Sequence, residues 1–199
     1  MRAIASAAAL AALACAGSLQ AHHSGYMFQT TPIWVKGTVI RFEDVNPHTI
    51  TTVEDKSDGG RVQRWAIEGP GQFQLERMGV EADVPKVGDV IEVCGFPYKE
   101  EFSSRARAVD SDGSPLQRVV GHVLVSPDGR KRLWEPHGLL SECIRSSDEP
   151  RQSWLDFLNA DARAHDVWCD QRRYTVQQSN APLQAFADEI NGLTAMPCK

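Results

Sequence analysis

Apolar and polar residues alternate loosely between residues 33 and 126, and this pattern predicts short β-strands separated by turns. The predicted strands are rich in β-branched and aromatic residues and are bounded by glycine, proline or aspartate. They cover residues 33–44, 48–53, 62–68, 89–96, 105–109 and 118–125. Asp58-Gly59-Gly60 predicts a hairpin between the second and third strands. Gly37 interrupts the first strand, at a position where a bulge or a sharp bend costs little.

A short helix is predicted over residues 70–78, between the third and fourth strands, with Phe73 and Arg77 on one side and Gly79 after its end. Three strands, a short helix and two or more further strands follow one another in the order of a small OB-type barrel. Closing the sheet into a barrel also removes the exposed edges that an open five-stranded sheet would have. We therefore expect a mainly β fold built on a small OB-like barrel.

From about residue 150 the pattern changes to the spacing of helices. One helix is predicted over residues 153–164 with Ser153 as its cap, and a second over residues 182–191. The apolar residues at helical spacing in the first segment are Trp154, Leu155, Phe157 and Leu158. Two short helices cannot hold together alone, so we expect a C-terminal two-helix appendage packed on the barrel. The predicted organisation is a signal peptide (1–21), an OB-like barrel domain (22–135) and a C-terminal helical extension (136–199).

The first 21 residues have the composition of a removable export signal. Arg2 gives a positive start, residues 3–16 are rich in alanine and leucine, and Ala21 is a small residue directly before a cleavage point. Cleavage after Ala21 predicts a periplasmic protein whose first residue is His22. Two other outcomes stay open: cleavage after Ala16, and lipidation at Cys15.

Charge and hydropathy exclude two classes of partner. The chain has 21 basic and 26 acidic residues, and losing residues 1–21 removes one basic and no acidic residue, which leaves a net charge near −6. An acidic balance without basic clusters argues against binding to nucleic acid or to anionic membranes. No apolar stretch after residue 21 is long enough to span a bilayer.

Four cysteines follow the predicted signal, namely Cys94, Cys143, Cys169 and Cys198. An even number in an oxidising compartment predicts two disulfides, and four cysteines allow three pairings. We favour Cys94 with Cys143 and Cys169 with Cys198, because each bridge would then staple one half of the chain locally. No two cysteines form a CxxC pair, so a thiolate metal or redox motif is not indicated.

Five short motifs occur in a fixed order along the first two thirds of the chain. They are Ala21-His22-His23-Ser24, Gly37-Thr38-Val39, Asn46-Pro47-His48, Trp65-Ala66-Ile67-Glu68 and Gly88-Asp89-Val90-Ile91-Glu92-Val93. This pattern resembles an exported bacterial family, the domain of unknown function 6152 family, over about residues 21–126. The resemblance implies an exported protein with an Ala-His-His-Ser start and an Asn-Pro-His turn. It implies no activity, and residues 150–199 lie outside it.

His22, His23 and His48 form a candidate metal site. If His22 is the first residue, its α-amine and imidazole can chelate one ion, and His48 at the Asn-Pro-His turn is the best third donor. His23 could bind in place of His22. Neutral imidazoles suit copper, nickel and zinc, and Cu(II) prefers tetragonal nitrogen donors, which favours copper over zinc as the cofactor. The alternative interpretation is structural: a solvated chain start, and a histidine that caps a turn or lies in the core.

The remaining histidines are weaker candidates. His122 falls inside a predicted strand, His137 in a loop, and His165 has no second histidine at helical spacing, so an HExxH zinc site is absent from the sequence. Glu68 could orient a ligand imidazole from behind, or it could be an ordinary carboxylate at a strand end.

These patterns predict a periplasmic copper carrier or scavenger, whose partners are a metal ion and an exported protein. The chain has no GxSxG elbow, no phosphate-binding glycine loop and no dinucleotide fingerprint, so the sequence does not indicate an enzyme. Two alternatives stay open. One is a copper-dependent oxidative enzyme that uses the same histidines. The other is a small-ligand or protein-interaction module without metal, in which the helical extension docks a partner.

Overall fold

The computed structural model describes residues 27–59, 61–78, 80, 84–102, 107–110, 112–113, 115–134 and 140–177. The strands are β1 (Ile33–Glu43), β2 (Ile50–Asp58), β3 (Arg61–Glu68), β4 (Val90–Pro97), β5 (Arg107–Val109), β6 (Pro115–Val125) and β7 (Lys131–Leu133). The helices are α1 (Gln72–Met78), α2 (Leu140–Ser146), α3 (Arg151–Ala160) and α4 (Ala162–Gln177), and a 3-10 turn covers Glu100–Phe102.

Five strands close into a barrel in the order β3-β2-β1-β4-β6. Neighbouring strands are antiparallel, except that β6 returns to β3 in parallel and completes the closure. The strands β5 and β7 pair with opposite ends of β6 outside this ring. Five strands with one helix between the third and fourth are the arrangement of an OB-type barrel, so the predicted fold class is confirmed.

The first strand shows why the alternating pattern predicted the barrel correctly. Val35, Gly37 and Val39 face the interior of the barrel, and the residues between them are exposed. The register of β1 against β2 shifts between Val39 and Arg41, so the irregularity of this strand lies after Gly37. Gly37 serves a different purpose from the predicted bend: a Cβ there would lie 2.7 Å from the Glu54 carbonyl oxygen, so it admits the close approach of β2.

Two strands are buried on both faces and therefore separate two hydrophobic cores. On β4, Val93 points into the barrel, while Cys94 points outward beneath the helices. On β6, Leu124 points inward and Val123 outward. Burial on both faces explains why these strands have nearly continuous apolar sequences. The inner core fills the barrel, and the outer core lies between the barrel and α2, α3 and α4.

A disulfide crosses the outer core. Cys94 on β4 is bonded to Cys143 on α2, with Cα atoms 5.8 Å apart, so the predicted pairing is confirmed. The bridge does not staple one half of the chain, as the favoured pairing assumed, because it joins the barrel to the helical part. Cys169 is disulfide-bonded as well, and its predicted partner, Cys198, lies outside the described residues.

The C-terminal part is helical, as predicted, but its elements differ from the predicted pair. The described residues contain α2, α3 and α4, and the helix predicted over 153–164 is broken at Asp161. The Asp161 carboxylate accepts hydrogen bonds from the Arg163 and Ala164 amides and so caps α4. Ser153 is not a cap, because α3 begins two residues earlier, after Pro150. The predicted segments 1–21 and 182–191 lie outside the described residues.

The helix predicted over 70–78 is α1, and it closes one end of the barrel. Leu75 enters the inner core, where it is 2 % exposed. The Gln74 side chain accepts a hydrogen bond from the Gly71 amide at 3.0 Å, half of a capping box. None of the helices in the described part of the chain is long and apolar enough to cross a membrane.

Candidate metal site

A cluster of four polar side chains lies at the end of β3, and Glu68 is its centre. Glu68 is the last residue of β3, where it pairs with Ile50 of β2 and Val120 of β6. Its side chain is 11 % exposed. One carboxylate oxygen, Oε2, accepts hydrogen bonds from the Tyr98 hydroxyl at 2.9 Å and the Arg118 guanidinium at 3.0 Å. These two hydrogen bonds pair the carboxylate with a guanidinium and fix its orientation.

The other carboxylate oxygen faces His48. Glu68 Oε1 lies 3.7 Å from His48 Nδ1, which is longer than an N–H···O hydrogen bond. The His48 side chain is 23 % exposed, and its Nδ1 atom, which faces Glu68, is buried. The structure thus brings together His48 and Glu68, two residues that the sequence had singled out separately.

His48 is positioned by the turn that joins β1 to β2. The Asn46–Pro47 peptide in this turn is cis. Thr49, directly after His48, donates its amide to the Pro70 carbonyl and accepts from the Gly69 amide, which ties the turn to the chain leaving β3. Because Glu68 belongs to that same chain, these backbone bonds place the imidazole beside its carboxylate.

The chain that leads from the candidate N-terminus passes along this cluster. Phe28 forms a bridge with Tyr98, and their ring centroids are 4.7 Å apart. The Lys99 amide donates to the Met27 carbonyl at 2.9 Å, and the Gln29 amide donates to the Pro97 carbonyl at 2.8 Å. The segment is therefore fixed to the end of β4 at the residue whose hydroxyl contacts Glu68.

Aromatic and cationic groups complete the surroundings of the carboxylate. The Arg118 guanidinium lies over the Tyr98 ring at 5.8 Å from its centroid, a cation–π contact that helps to hold both side chains on Glu68. One negative charge is thus surrounded by a guanidinium, a phenol and an imidazole. Such an arrangement holds an imidazole nitrogen and a carboxylate oxygen side by side, where both can bind one cation.

The predicted ligands His22 and His23 lie outside the described residues, so the structure does not test whether they join His48. Within the part of the chain that is described, no three His, Cys, Asp or Glu side chains lie close enough to hold a metal ion. Of the weaker candidates, His122 is buried against Phe96, in keeping with a sheet residue, and His165 lies on α4. His137 lies outside the described residues.

Sequence reasoning missed two members of the cluster. Tyr98 stands just after β4 and Arg118 in β6, and neither belongs to a recognisable motif. Both reach Glu68 because β6 closes the barrel against β3, a contact between residues 50 positions apart in the chain. A local pattern carries no signal for such a pairing.

Residues 9–105 match the sequence profile of a family of unknown function, DUF6152. The matched part of this chain belongs to the DUF6152 family. The match covers His22, His23, His48, Glu68 and Tyr98, and it ends before β5, so Arg118 and all of the C-terminal helices lie beyond the DUF6152 region. No curated protein is similar enough to the chain to count as a match.

Proposed function

We propose that this DUF6152 protein is an exported periplasmic copper-binding protein, a carrier or scavenger whose site is made by His22, His23 and His48. The supporting observation is the path of the chain before β1. Met27 and Phe28 are fixed beside Tyr98, and the Tyr98 hydroxyl contacts the carboxylate that faces His48. The described chain therefore begins, at Met27, beside the cluster that contains His48, and the predicted donors precede it by a few residues.

The tether from Met27 to His22 has a fixed maximum length. Four residues lie between His22 and Met27, and these five Cα steps span at most roughly 17 Å when extended. From Tyr98, two contacts of 2.9 Å and 3.7 Å lead through the Glu68 carboxylate to His48 Nδ1. The proposal requires the amine and ring of His22 to reach His48 within that span while Met27 keeps its backbone hydrogen bond to Lys99.

The donor chemistry favours copper over zinc. A terminal amine and two imidazoles supply three nitrogen donors, the set that tetragonal Cu(II) prefers. Because the described residues contain no complete ligand set, binding would depend on the terminal amine that cleavage after Ala21 exposes. A site that forms only after export would bind copper in the periplasm and not before, as a carrier or scavenger there requires.

Copper titration of the correctly processed protein tests this proposal. The protein is produced by export, intact mass confirms His22 as the first residue, and Cu(II) affinity is measured by competition with a chelator. We expect one Cu(II) per chain. Placing a glycine before His22, or the substitution His48→Ala, should weaken binding by more than about 100-fold, since even residues behind metal ligands contribute 10- to 100-fold. His165→Ala is the matched control and should leave affinity unchanged.

Three results would contradict the proposal. An intact mass that corresponds to a chain starting at Gly17 would show that His22 has no free α-amine to chelate the ion. Equal Cu(II) affinities for the wild type and His48→Ala would show that His48, the barrel's proposed ligand, does not bind the ion. Peroxide-dependent turnover by the copper-loaded protein, above that of free Cu(II), would favour the oxidative enzyme over the carrier as the function.

A further inference from the structure

We propose that Glu68 Oε1 is itself a ligand of the ion that His48 binds. Glu68 would then do more than orient the imidazole. The inference rests on the proposed copper site and adds an oxygen donor to it. Its basis is the separation of 3.7 Å between Glu68 Oε1 and His48 Nδ1.

That distance separates two roles of a carboxylate beside an imidazole. A carboxylate that orients the ring accepts an N–H···O hydrogen bond of about 2.7 to 3.2 Å. Two donors that share one ion with bonds of about 2.1 Å stand about 3.4 Å apart at a tetrahedral angle, and about 3.0 Å apart at a right angle. The observed gap exceeds the hydrogen-bond range, and it reaches the separation of two ligands of one ion after closing by about 0.3 Å at a tetrahedral angle or about 0.7 Å at a right angle. The direction of Oε1, rather than the distance alone, therefore favours the ligand role.

The hydrogen bonds of Glu68 support the same role. Tyr98 and Arg118 both bind Oε2, and they leave Oε1 directed at His48. A ligating carboxylate is itself usually held by hydrogen bonds on its other side, which fix its direction and raise the affinity for the metal. Here the same two residues would fix the carboxylate before the ion arrives.

An oxygen donor also narrows the choice of ion. Amine, imidazole and carboxylate together suit Cu(II) or Zn(II), whereas Cu(I) prefers thiolate and thioether ligands. Glu68 would therefore be a specificity-determining residue, which makes the site selective for the oxidised ion.

The substitution Glu68→Gln tests this role in the processed full chain. Glutamine keeps the shape and an acceptor for Tyr98 but removes the charged donor. We expect Cu(II) affinity to fall by about 10- to 100-fold and the electron paramagnetic resonance g-values of bound Cu(II) to change, because an oxygen ligand has been lost. Glu54→Gln, a partly buried strand carboxylate bonded to Arg64, is the matched control and should change neither quantity. Thermal unfolding of each variant shows whether the fold is kept.

The outcomes separate the two proposals. If the wild type binds Cu(II) and Glu68→Gln gives an identical resonance spectrum or keeps full affinity, Glu68 is not a ligand, while the histidine site stands. If the wild type itself binds no Cu(II), the proposed function fails and the role of Glu68 falls with it. Should Glu68→Gln unfold, Glu68→Asp decides: it draws the carboxylate back from His48 by one methylene, and unchanged affinity and spectrum overturn the ligand role.

Discussion

The inner and outer cores of this protein differ in their amino-acid composition and in the secondary structure that surrounds them. The inner core consists mainly of valine, isoleucine and leucine from the barrel strands, closed by a continuous ladder of backbone hydrogen bonds. The outer core consists of tryptophan, phenylalanine and leucine from α2, α3 and α4 against one side of the barrel, and a disulfide crosses it. A strand makes its backbone hydrogen bonds only with neighbouring strands. A helix makes its own backbone hydrogen bonds and needs the barrel only as an apolar surface to pack on.

The DUF6152 match covers the two cores unevenly. It spans β1 to β4, α1 and the cluster residues His48, Glu68 and Tyr98, whereas β6 and the three helices of the outer core come after it. Three of the four cluster residues therefore lie in the matched part, and the helices that cover the outer core lie outside it. Because α2, α3 and α4 cover only one side of the barrel, damage to the outer core should loosen these helices and leave the barrel and its site intact.

The largest effect is expected from Trp154→Ala in the outer core. Trp154 is 1 % exposed and packs against Trp34 and Phe157, with ring centroids 6.0 Å away in each case. Removing a buried tryptophan typically costs about 3 to 5 kcal/mol. Hydrogen exchange should speed up in α3 and α4 while the barrel amides stay protected. Equal acceleration in β1 and β2 would show that the two cores unfold together.

The second largest effect is expected from the double substitution Cys94→Ala with Cys143→Ala. The bridge spans 49 residues, and a loop of that length is worth about 2 to 4 kcal/mol of stability. Denaturant unfolding of the variant should show the helical part separating at a lower concentration than the barrel. Wild type treated with a reductant under denaturing conditions and then refolded is the comparison, and it should be at least as destabilised as the variant, because reduction also opens the bridge at Cys169. Unchanged midpoints would contradict the bridge's role as the tie between the cores.

The difference between the cores explains what the sequence could predict. The barrel strands were recognisable because β-branched residues alternate and because a few glycines mark close approaches, as Gly37 does. The second strand continues to Asp58, well beyond the predicted end at Val53, since pairing with β3 holds polar residues in the ladder. The short helix α2 had no local signal, because its stability comes from Leu140 and Cys143 covering the barrel.

The candidate site divides in the same way. His48 and Glu68 could be named from short motifs, and the structure places them together. Tyr98 and Arg118 could not, since only barrel closure brings them to Glu68. The Asp161 cap was within reach of sequence reasoning, because an aspartate before a helical run is a standard start signal.

A smaller effect is expected from Gly71→Ala, which links the inner core to the site. A Cβ at Gly71 would lie 2.3 Å from the Pro47 carbonyl oxygen, so α1 or the turn before His48 must shift. Overpacking of this kind costs about 1 to 3 kcal/mol. Cu(II) affinity should fall as well, because the turn carries His48. Gln72→Ala, an exposed change one residue later, is the control and should stay within about 0.5 kcal/mol. Normal copper affinity in Gly71→Ala would show that the turn does not need α1.

The smallest effect is expected from Glu149→Gln, which probes the ionic tie between β7 and α3. Glu149 accepts from Lys131 Nζ at 2.6 Å and from the Ser153 hydroxyl at 2.7 Å, and the Lys131 ammonium lies over the Trp154 ring. Burial acts to raise the pKa of Glu149, but the hydrogen bonds from Lys131 and Ser153 and the charge of Lys131 outweigh it and hold the pKa below the usual range.

The sign of the pH effect follows from that lowered pKa. Glu149 contributes stability that is fully present above the ordinary glutamate pKa of about 4.3 and that is lost as the pH falls through the lower folded value. The carboxylate is 38 % exposed, so water screens the pair and its worth is at most about 1 kcal/mol. Glu149→Gln should therefore be less stable than the wild type at pH 7, and the gap should shrink below pH 4. Because Lys131 stands on β7 and Glu149 precedes α3, a gap that persists in acid would mean that the helices are held to the barrel by packing and the disulfide alone.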